Sequence, residues 1–163
     1  ELQQIELIAV EANNKRSEMI KDNLERLGLN AKVINAKVDL NNKWWDGEQF
    51  DRIMLDAPCS ASGIVRRHID IKWLRRESDI EFFSRQQLEL LQASWVMLKE
   101  KGKLLYVTCS IFKDENRVVI EKFKKNNKVK EIKIKFPDNV ISIDNQLIPN
   151  QNHDGLFYAL LEK

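Results

Sequence analysis

The sequence has few of the residues that build cross-links, metal sites and phosphate loops. Its 163 residues contain two cysteines, Cys59 and Cys109, and two histidines, His68 and His153. Two cysteines are too few for a disulfide framework, and their spacing from the histidines is not that of a zinc site. Only five glycines occur and none forms a G-x-G loop, so no glycine-rich phosphate or cofactor motif is present. We therefore predict no metal.

Two further absences bear on location and partners. No signal peptide and no long apolar run is present, so nothing directs the chain to a membrane or to export. We predict a cytoplasmic protein with free thiols. Lysine and arginine number 27 against 25 acidic residues, and a net charge of +2 does not by itself indicate nucleic-acid binding.

The composition is that of a folded globular domain, with 43% hydrophobic and 32% charged residues. This length suits one domain with a real core. Because residue 1 is Glu and a strand-like run begins by Ile5, we expect residues 1–163 to be one domain that is truncated at its N-terminus.

Apolar runs and helical patterns alternate along the first two-thirds of the chain. Strands are predicted over Ile5–Val10, Ala31–Val38, Phe50–Leu55 and Lys103–Thr108. Helices are predicted over residues 14–27, 71–75, 78–99 and 114–126. This alternation predicts an α/β fold with a mostly parallel sheet. Two later strands, Val129–Phe136 and Leu156–Leu161, are expected to pair near the C-terminal edge.

Chemically distinctive side chains follow four of the predicted strands. They are Glu11, Asp39, Asp56 with Cys59, and Cys109. Ligands of parallel α/β sheets bind beyond the carboxyl ends of the strands. The coincidence therefore predicts a functional site at this edge of the sheet.

The two cysteines admit three interpretations. They can be small buried residues at strand ends, which is a common use of free cysteine. A redox or disulfide pair is the second, although nothing indicates an oxidising compartment. The third is a pair of reactive thiols, since Cys59 and Cys109 each lie in a polar loop and are each followed by serine.

The acids at the strand ends have ordinary uses as well as functional ones. Asp56 can be a turn residue, or a half-buried carboxyl with a raised pKa that donates a proton to a ring nitrogen. Glu11 matches the acid that binds ribose hydroxyls in nucleotide-binding folds. Asp39 carries a weaker signal of the same kind.

A basic segment, residues 66–76, follows the first cysteine and has five Lys or Arg against one Asp. Phosphate contacts need such a cluster, so Arg66, Arg67 and Lys72 are candidate RNA contacts. Trp73 can stack on a base or anchor the loop. A simple solvated face is the alternative.

Three segments together resemble the RNA cytosine-C5 methyltransferases of the Sun/NOL1/NOP2 family. They are Phe50–Gly63 with Asp-Ala-Pro-Cys, Arg66–Trp73, and Leu105–Ser110 with Thr-Cys-Ser followed by Glu115 and Asn116. The resemblance extends over nearly the whole chain and is strongest to bacterial members that act on small-subunit ribosomal RNA. It implies a Rossmann-like fold, S-adenosyl-L-methionine as cofactor and RNA as partner.

The resemblance also implies roles for the site residues. Cys109 would attack carbon 6 of a cytosine, Asp56 would protonate ring nitrogen 3, and Cys59 would assist breakdown of the covalent adduct. Glu11 would bind the ribose of the cofactor and Asp39 would lie near its adenine. Asp56 is expected in this cofactor-binding set as well.

The sequence departs from the family pattern before Glu11. The glycine-rich cofactor loop and the strand preceding it are missing, and Ile69 stands where the family usually has proline. We therefore expect this chain alone to bind the cofactor weakly or not at all. An RNA-binding module with inert cysteines, and a methyltransferase acting on another base or on protein, are the alternatives. The oligomeric state stays open.

Overall fold

The first compact unit contains one strand–helix–strand segment. The computed structural model describes residues 5–137 and 139–163, and the chain divides into two compact units, Glu1–Gly47 and Glu48–Lys163. In the first unit, strand β1 (Ile8–Glu11) pairs in parallel with β2 (Lys32–Asn35). Helix α1 (Asn14–Leu27) connects them. Parallel neighbours joined by a helix are what the sequence pattern predicts.

Helix α1 begins and ends where its sequence signals predict. The side chain of Asn13 accepts a hydrogen bond from the Arg16 N–H at 3.1 Å and so satisfies a free amide of the first turn. Gly28 follows the helix with a φ of +62°, which costs glycine no steric clash.

The second unit contains the remaining elements. Its strands are β3 (Phe50–Asp56), β4 (Leu98–Thr108), β5 (Lys130–Ile132), β6 (Ser142–Ile143), β7 (Gln146–Leu147) and β8 (Phe157–Glu162). Its helices are α2 (Ile71–Leu74), α3 (Glu77–Val96) and α4 (Arg117–Asn126). Two 3-10 turns, Ser62–Ile64 and Lys113–Glu115, lie in the loops that follow β3 and β4.

The sheet of this unit is parallel at one side and antiparallel at the other. Its strand order is β3-β4-β8-β7-β6, and β5 also pairs with β8. Strands β3 and β4 are parallel, whereas β8 runs antiparallel to β4, β5 and β7. The predicted α/β fold and its antiparallel C-terminal edge are therefore confirmed.

The core lies between the sheet and helices α3 and α4. Tyr106, Phe123 and Phe157 are among its largest fully buried side chains. The rings of Trp95 and Phe123 meet edge to face with centroids 5.2 Å apart, which joins α3 to α4.

Several predicted boundaries were wrong, among them those of α3 and β2. Helix α3 ends at Val96 rather than Lys99, because Leu98 is fully buried and already pairs with Phe50 in the sheet. The helix also begins at Glu77, one residue before the predicted start at Ser78, and the Asp79 carboxylate accepts the Arg76 N–H at 3.0 Å. Strand β2 ends at Asn35, so Asp39 does not end a strand.

The hairpin β6–β7 was not predicted. Asp144 and Asn145 form its turn with φ values of +50° and +64°, the conformation that a two-residue hairpin turn requires. Aspartate and asparagine tolerate it better than most residues, so the sequence did carry a signal. Across the described residues, no helix combines the length and apolar character needed to cross a membrane.

Truncating Phe123 tests the core. We expect Phe123→Ala to lower the free energy of unfolding by about 3–5 kcal/mol, because it leaves a cavity beside Trp95. Phe82→Ala is the matched control, since that ring is 54% exposed, and it should change stability by no more than about 0.5 kcal/mol. Urea unfolding followed by tryptophan fluorescence measures both, and equal losses would contradict this description of the core.

Candidate active site

The parallel register of β3 and β4 brings two loops together. Asp56 at the end of β3 lies opposite Val107, and the Ala57 N–H donates to the Val107 carbonyl at 2.9 Å. Beyond this point the sulfurs of Cys59 and Cys109 lie 3.4 Å apart. The prediction that both thiols share one location is therefore confirmed.

The loop after β3 folds back onto the loop after β4. Ala61 adopts a left-handed conformation with a φ of +61°, which reverses the chain into the 3-10 turn. The Gly63 N–H then donates to the Cys109 carbonyl at 2.8 Å, and the Gly155 N–H donates to the Gly63 carbonyl at 2.9 Å. These bonds hold three chain segments against one another.

Gly63 permits this close approach because it has no side chain. A Cβ atom there would lie 2.0 Å from the Gly155 carbonyl oxygen and 2.8 Å from that of Cys109. Both contacts are with backbone, which cannot rotate away. Any larger residue at position 63 would therefore push the two cysteine loops apart.

The two thiols differ in their electrostatics. The hydrogen bond from Cys59 lowers the pKa of the Cys109 thiol. The same bond, followed by burial, raises the pKa of the Cys59 thiol. Of the two thiols, Cys109 therefore loses its proton more readily than Cys59. Since the thiolate is the nucleophilic form of cysteine, Cys109 is the more reactive sulfur.

A buried carboxylate, Glu115, lies behind the two thiols. The Ser60 N–H and hydroxyl donate to its two oxygens at 2.7 and 2.5 Å, and the Ser110 hydroxyl donates at 2.5 Å. The Gln87 amide completes the set at 3.4 Å and also donates to the Pro58 carbonyl at 2.8 Å. Each serine directly follows one of the cysteines.

Asn116 holds the second loop from the other side. Its side-chain amide donates to the Ser110 carbonyl at 2.9 Å and to Gln146 at 2.7 Å, while its oxygen accepts the Thr108 hydroxyl at 2.5 Å. Thr108, Ser110 and Asn116 are all buried. Asn116 thus fixes the end of β4 through hydrogen bonds to Thr108 and Ser110, the residues on either side of Cys109.

Asp56 lies at the end of β3 but is more exposed than predicted. The sequence suggested a half-buried carboxyl, whereas the structure leaves Asp56 exposed. Its negative charge is among the influences that raise the pKa of Cys109, so the carboxylate lies within electrostatic range of that sulfur. An exposed position leaves it accessible to a bound molecule.

Glu11 ends β1 of the first unit, as the sequence predicts. Its Oε1 atom accepts the Asn13 N–H at 2.7 Å and the Arg16 guanidinium at 2.9 Å. These bonds hold the carboxylate at the strand end. Its Oε2 atom accepts no hydrogen bond from the described residues.

Asp39 serves as a turn residue in the structure. One of its oxygens accepts the N–H groups of Asn41 and Asn42 at 2.8 and 3.1 Å. This is the ordinary use of aspartate in a loop. A cofactor-binding role for this residue stays a prediction.

The basic segment is partly committed to internal contacts. Arg66 and Arg67 both pair with Asp154, at 2.5 and 2.9 Å, which lowers the pKa of that carboxyl. Arg75 donates to the Ser60 carbonyl at 2.9 Å and so ties the segment to the first cysteine loop. The Lys72 side chain forms no ion pair within the described part of the chain.

Trp73 lies on the surface of α2. It is 87% exposed, so it does not anchor the loop in the core of the second unit. The neighbouring Leu74 is also exposed. Stacking on a base, the other interpretation of Trp73, is compatible with this position.

Glu115 belongs to the motif that follows Cys109, but the sequence alone does not indicate a role for it. A glutamate just before a helix usually lies on the surface, so nothing local indicated its burial. The serines that follow both cysteines were the available signal, because buried hydroxyls need hydrogen-bond partners. No group of three or more His, Cys, Asp or Glu within the described ranges is arranged to hold a metal ion.

Comparisons with known proteins show which family this chain matches. Residues 1–162 match the family described as 16S rRNA methyltransferase RsmB/F. Ribosomal RNA small subunit methyltransferase B from Shewanella oneidensis is 47% identical over 161 residues, which are 98% of this chain and 38% of that protein. This chain thus spans less than half the length of that relative.

Solved structures show the same fold. The crystal structure of PH0851 superposes with a TM-score of 0.88 at 32% identity, over 97% of this chain and 37% of that one. NSun6 from Pyrococcus horikoshii, solved with SFG, gives a TM-score of 0.81 at 26% identity, over 97% of this chain and 41% of that one. The Rossmann-like α/β fold that the family resemblance implies is therefore confirmed.

Alkylation tests the electrostatics of the thiols. We expect iodoacetamide to modify Cys109 before Cys59, with a midpoint in the pH–rate profile below that of an ordinary cysteine. Cys59→Ala removes the hydrogen bond that stabilises the thiolate, so it should move the midpoint to higher pH. Mass spectrometry of peptides after timed labelling measures both. An unchanged midpoint in Cys59→Ala would show that the sulfurs do not interact.

Proposed function

Because the chain belongs to the 16S rRNA methyltransferase RsmB/F family, we propose that it carries the catalytic residues for methylating carbon 5 of a cytosine in small-subunit ribosomal RNA. The observation that carries the proposal is the 3.4 Å separation of the Cys59 and Cys109 sulfurs. A fold that only bound RNA would not need two thiols in contact beside a buried carboxylate. The match over residues 1–162 supports treating 1–163 as one catalytic domain.

Cys109 is the nucleophile of the proposed reaction. Carbon 5 of cytosine is a poor nucleophile. Attack of a thiolate on carbon 6 makes carbon 5 nucleophilic enough to accept a methyl group. The thiolate lone pair forms the sulfur–carbon bond, and the π electrons between carbons 5 and 6 move onto carbon 5. The lowered pKa of Cys109 supplies the thiolate at lower pH than an ordinary cysteine would.

Asp56 assists the attack from the ring side. It protonates or hydrogen-bonds nitrogen 3, which reduces the negative charge that develops on the ring. Its exposed carboxylate at the end of β3 is accessible to a base brought to Cys109. The base has to leave its stack to reach such a position.

Cys59 acts when the adduct breaks down. Carbon 5 loses its proton to water, the electron pair of that C–H bond re-forms the double bond between carbons 5 and 6, and the sulfur leaves carbon 6 as thiolate. A hydrogen bond from the Cys59 S–H stabilises the departing sulfur, and the raised pKa of Cys59 keeps this proton in place. The hydrogen bond from Cys59 also makes the Cys109 thiolate less nucleophilic before attack. Its contribution to the rate is therefore made when the sulfur leaves the base.

S-adenosyl-L-methionine is the cofactor of the proposed reaction and would supply the methyl group to carbon 5. The Oε2 atom of Glu11 is suited to accept a ribose hydroxyl, because Asn13 and Arg16 hold the carboxylate through Oε1 alone. Asp39 and Asp56 are the further candidates for cofactor contacts. The relative solved with SFG supports a cofactor of this class.

The basic segment is the proposed contact with RNA. Lys72 has its charge available for a phosphate, and exposed Trp73 offers a face for stacking. Arg66 and Arg67 both form ion pairs with Asp154. These pairs offset part of their positive charge and hold their side chains in place. Arg75 links the segment to the Cys59 loop, which would place bound RNA beside the thiols.

Substituting each cysteine in the full-length protein separates their roles. We expect Cys109→Ala to abolish methyl transfer, because no thiolate remains to attack carbon 6. We expect Cys59→Ala to accumulate a covalent protein–RNA adduct, because release is impaired. Labelling of ribosomal RNA with a radioactive methyl donor, followed by a denaturing gel, detects both results. Retained turnover in Cys109→Ala would overturn the assignment.

Neutralising Lys72 tests the RNA contact. We expect Lys72→Ala to weaken RNA binding and to reduce the slope of log affinity against log salt by about one. Lys130→Ala is the matched control, since that lysine is exposed and pairs with Glu162. Binding titrations at several salt concentrations measure the slope. A slope that changes equally in both variants would exclude a specific contact at Lys72.

A further inference from the structure

We propose that Glu115 is a positioning residue that sets the separation of the two catalytic thiols. The inference rests on the proposed function, because it assigns a purpose to the contact between Cys59 and Cys109. Glu115 itself touches neither sulfur by hydrogen bond. It acts through Ser60 and Ser110, the residues that directly follow the cysteines.

The environment of Glu115 differs from that of an ordinary structural carboxylate. Its side chain is fully buried. Within the described residues no lysine or arginine forms an ion pair with it, and its hydrogen bonds come from neutral groups. Burying a carboxylate without a cation is costly, and a well-packed apolar residue often stabilises a fold as well or better. A role in positioning accounts for that cost.

The hydrogen bonds divide between the two loops. Oε1 accepts the Ser60 N–H and Oε2 accepts both serine hydroxyls, so one rigid group is bonded to both loops at once. The serine hydroxyls are themselves 3.3 Å apart. The Glu115 carboxylate thus anchors both Ser60 and Ser110. Each cysteine is the residue directly before one of these serines, so its sulfur is held close to the same anchor.

The contact between the sulfurs is sensitive to this anchor. A sulfur–sulfur hydrogen bond at 3.4 Å is lost when the loops separate by about 1 Å, because hydrogen bonds weaken steeply with distance. Loss of the contact would leave Cys109 with a higher pKa and Cys59 without an acceptor. Displacement of this size at a reacting group can cost about 100-fold in rate.

The charge of Glu115 and its positioning of the two loops have opposite effects on the pKa of Cys109. The positioning role can therefore be tested. The negative charge of Glu115 is among the influences that raise the pKa of Cys109, whereas the bond from Cys59 lowers it and is the largest influence. Removing the charge alone would therefore lower the pKa. Separating the loops would raise it.

The test uses Glu115→Gln in the full-length protein, with Glu81→Gln as the matched control. Glu81 is exposed and, among the residues that the structure describes, pairs only with Arg85 on its own helix. We expect Glu115→Gln to lower kcat about 100-fold, to leave KM for ribosomal RNA little changed, and to raise the alkylation midpoint of Cys109. Glu81→Gln should change none of these.

A fall or no change in the alkylation midpoint, or an unchanged kcat, would overturn the positioning role. If Glu115→Gln does not fold, Ser110→Ala removes one arm of the anchor and should shift kcat and the midpoint in the same directions. Cys109→Ala is assayed alongside. If it keeps turnover, the proposed function fails; if it is inactive while Glu115→Gln is fully active, only the present inference fails.

Discussion

The contact between the sulfurs of Cys59 and Cys109 is the constraint on which the site depends. At 3.4 Å the two thiols are in hydrogen-bond contact, and this contact lowers the pKa of Cys109 while it raises the pKa of Cys59. The parallel register of β3 and β4 brings the loops to the same edge of the sheet. Glu115 behind them and Gly63 between them then set the final distance.

Much of this arrangement was predictable from local signals. The alternation of apolar strands and amphipathic helices predicts the parallel neighbours, and Asn13 and Gly28 mark the ends of α1. Because parallel strands end at one edge, residues that follow β3 and β4 must meet there. The meeting of the two cysteine loops at this edge therefore follows from topology.

The remainder depends on tertiary packing, which no local pattern encodes. Lys101 and Gly102 are residue types that commonly follow a helix, yet both lie inside β4 because Leu98 is already buried in the sheet. Asp39 was expected to end a strand, but β2 stops earlier and the residue closes a turn. The burial of Glu115 arises only when the serines of two distant loops converge on it.

The most direct test of the account identifies the sulfur that bonds to the base. Ribosomal RNA carrying 5-fluorocytosine should form an adduct that persists, because fluorine replaces the proton that must leave carbon 5. Trypsin separates the cysteines into the peptides Ile53–Arg66 and Leu104–Lys113. The account predicts that mass spectrometry finds the nucleotide on Leu104–Lys113 at Cys109. A nucleotide on Ile53–Arg66, or no adduct from a protein that methylates ordinary RNA, would contradict it.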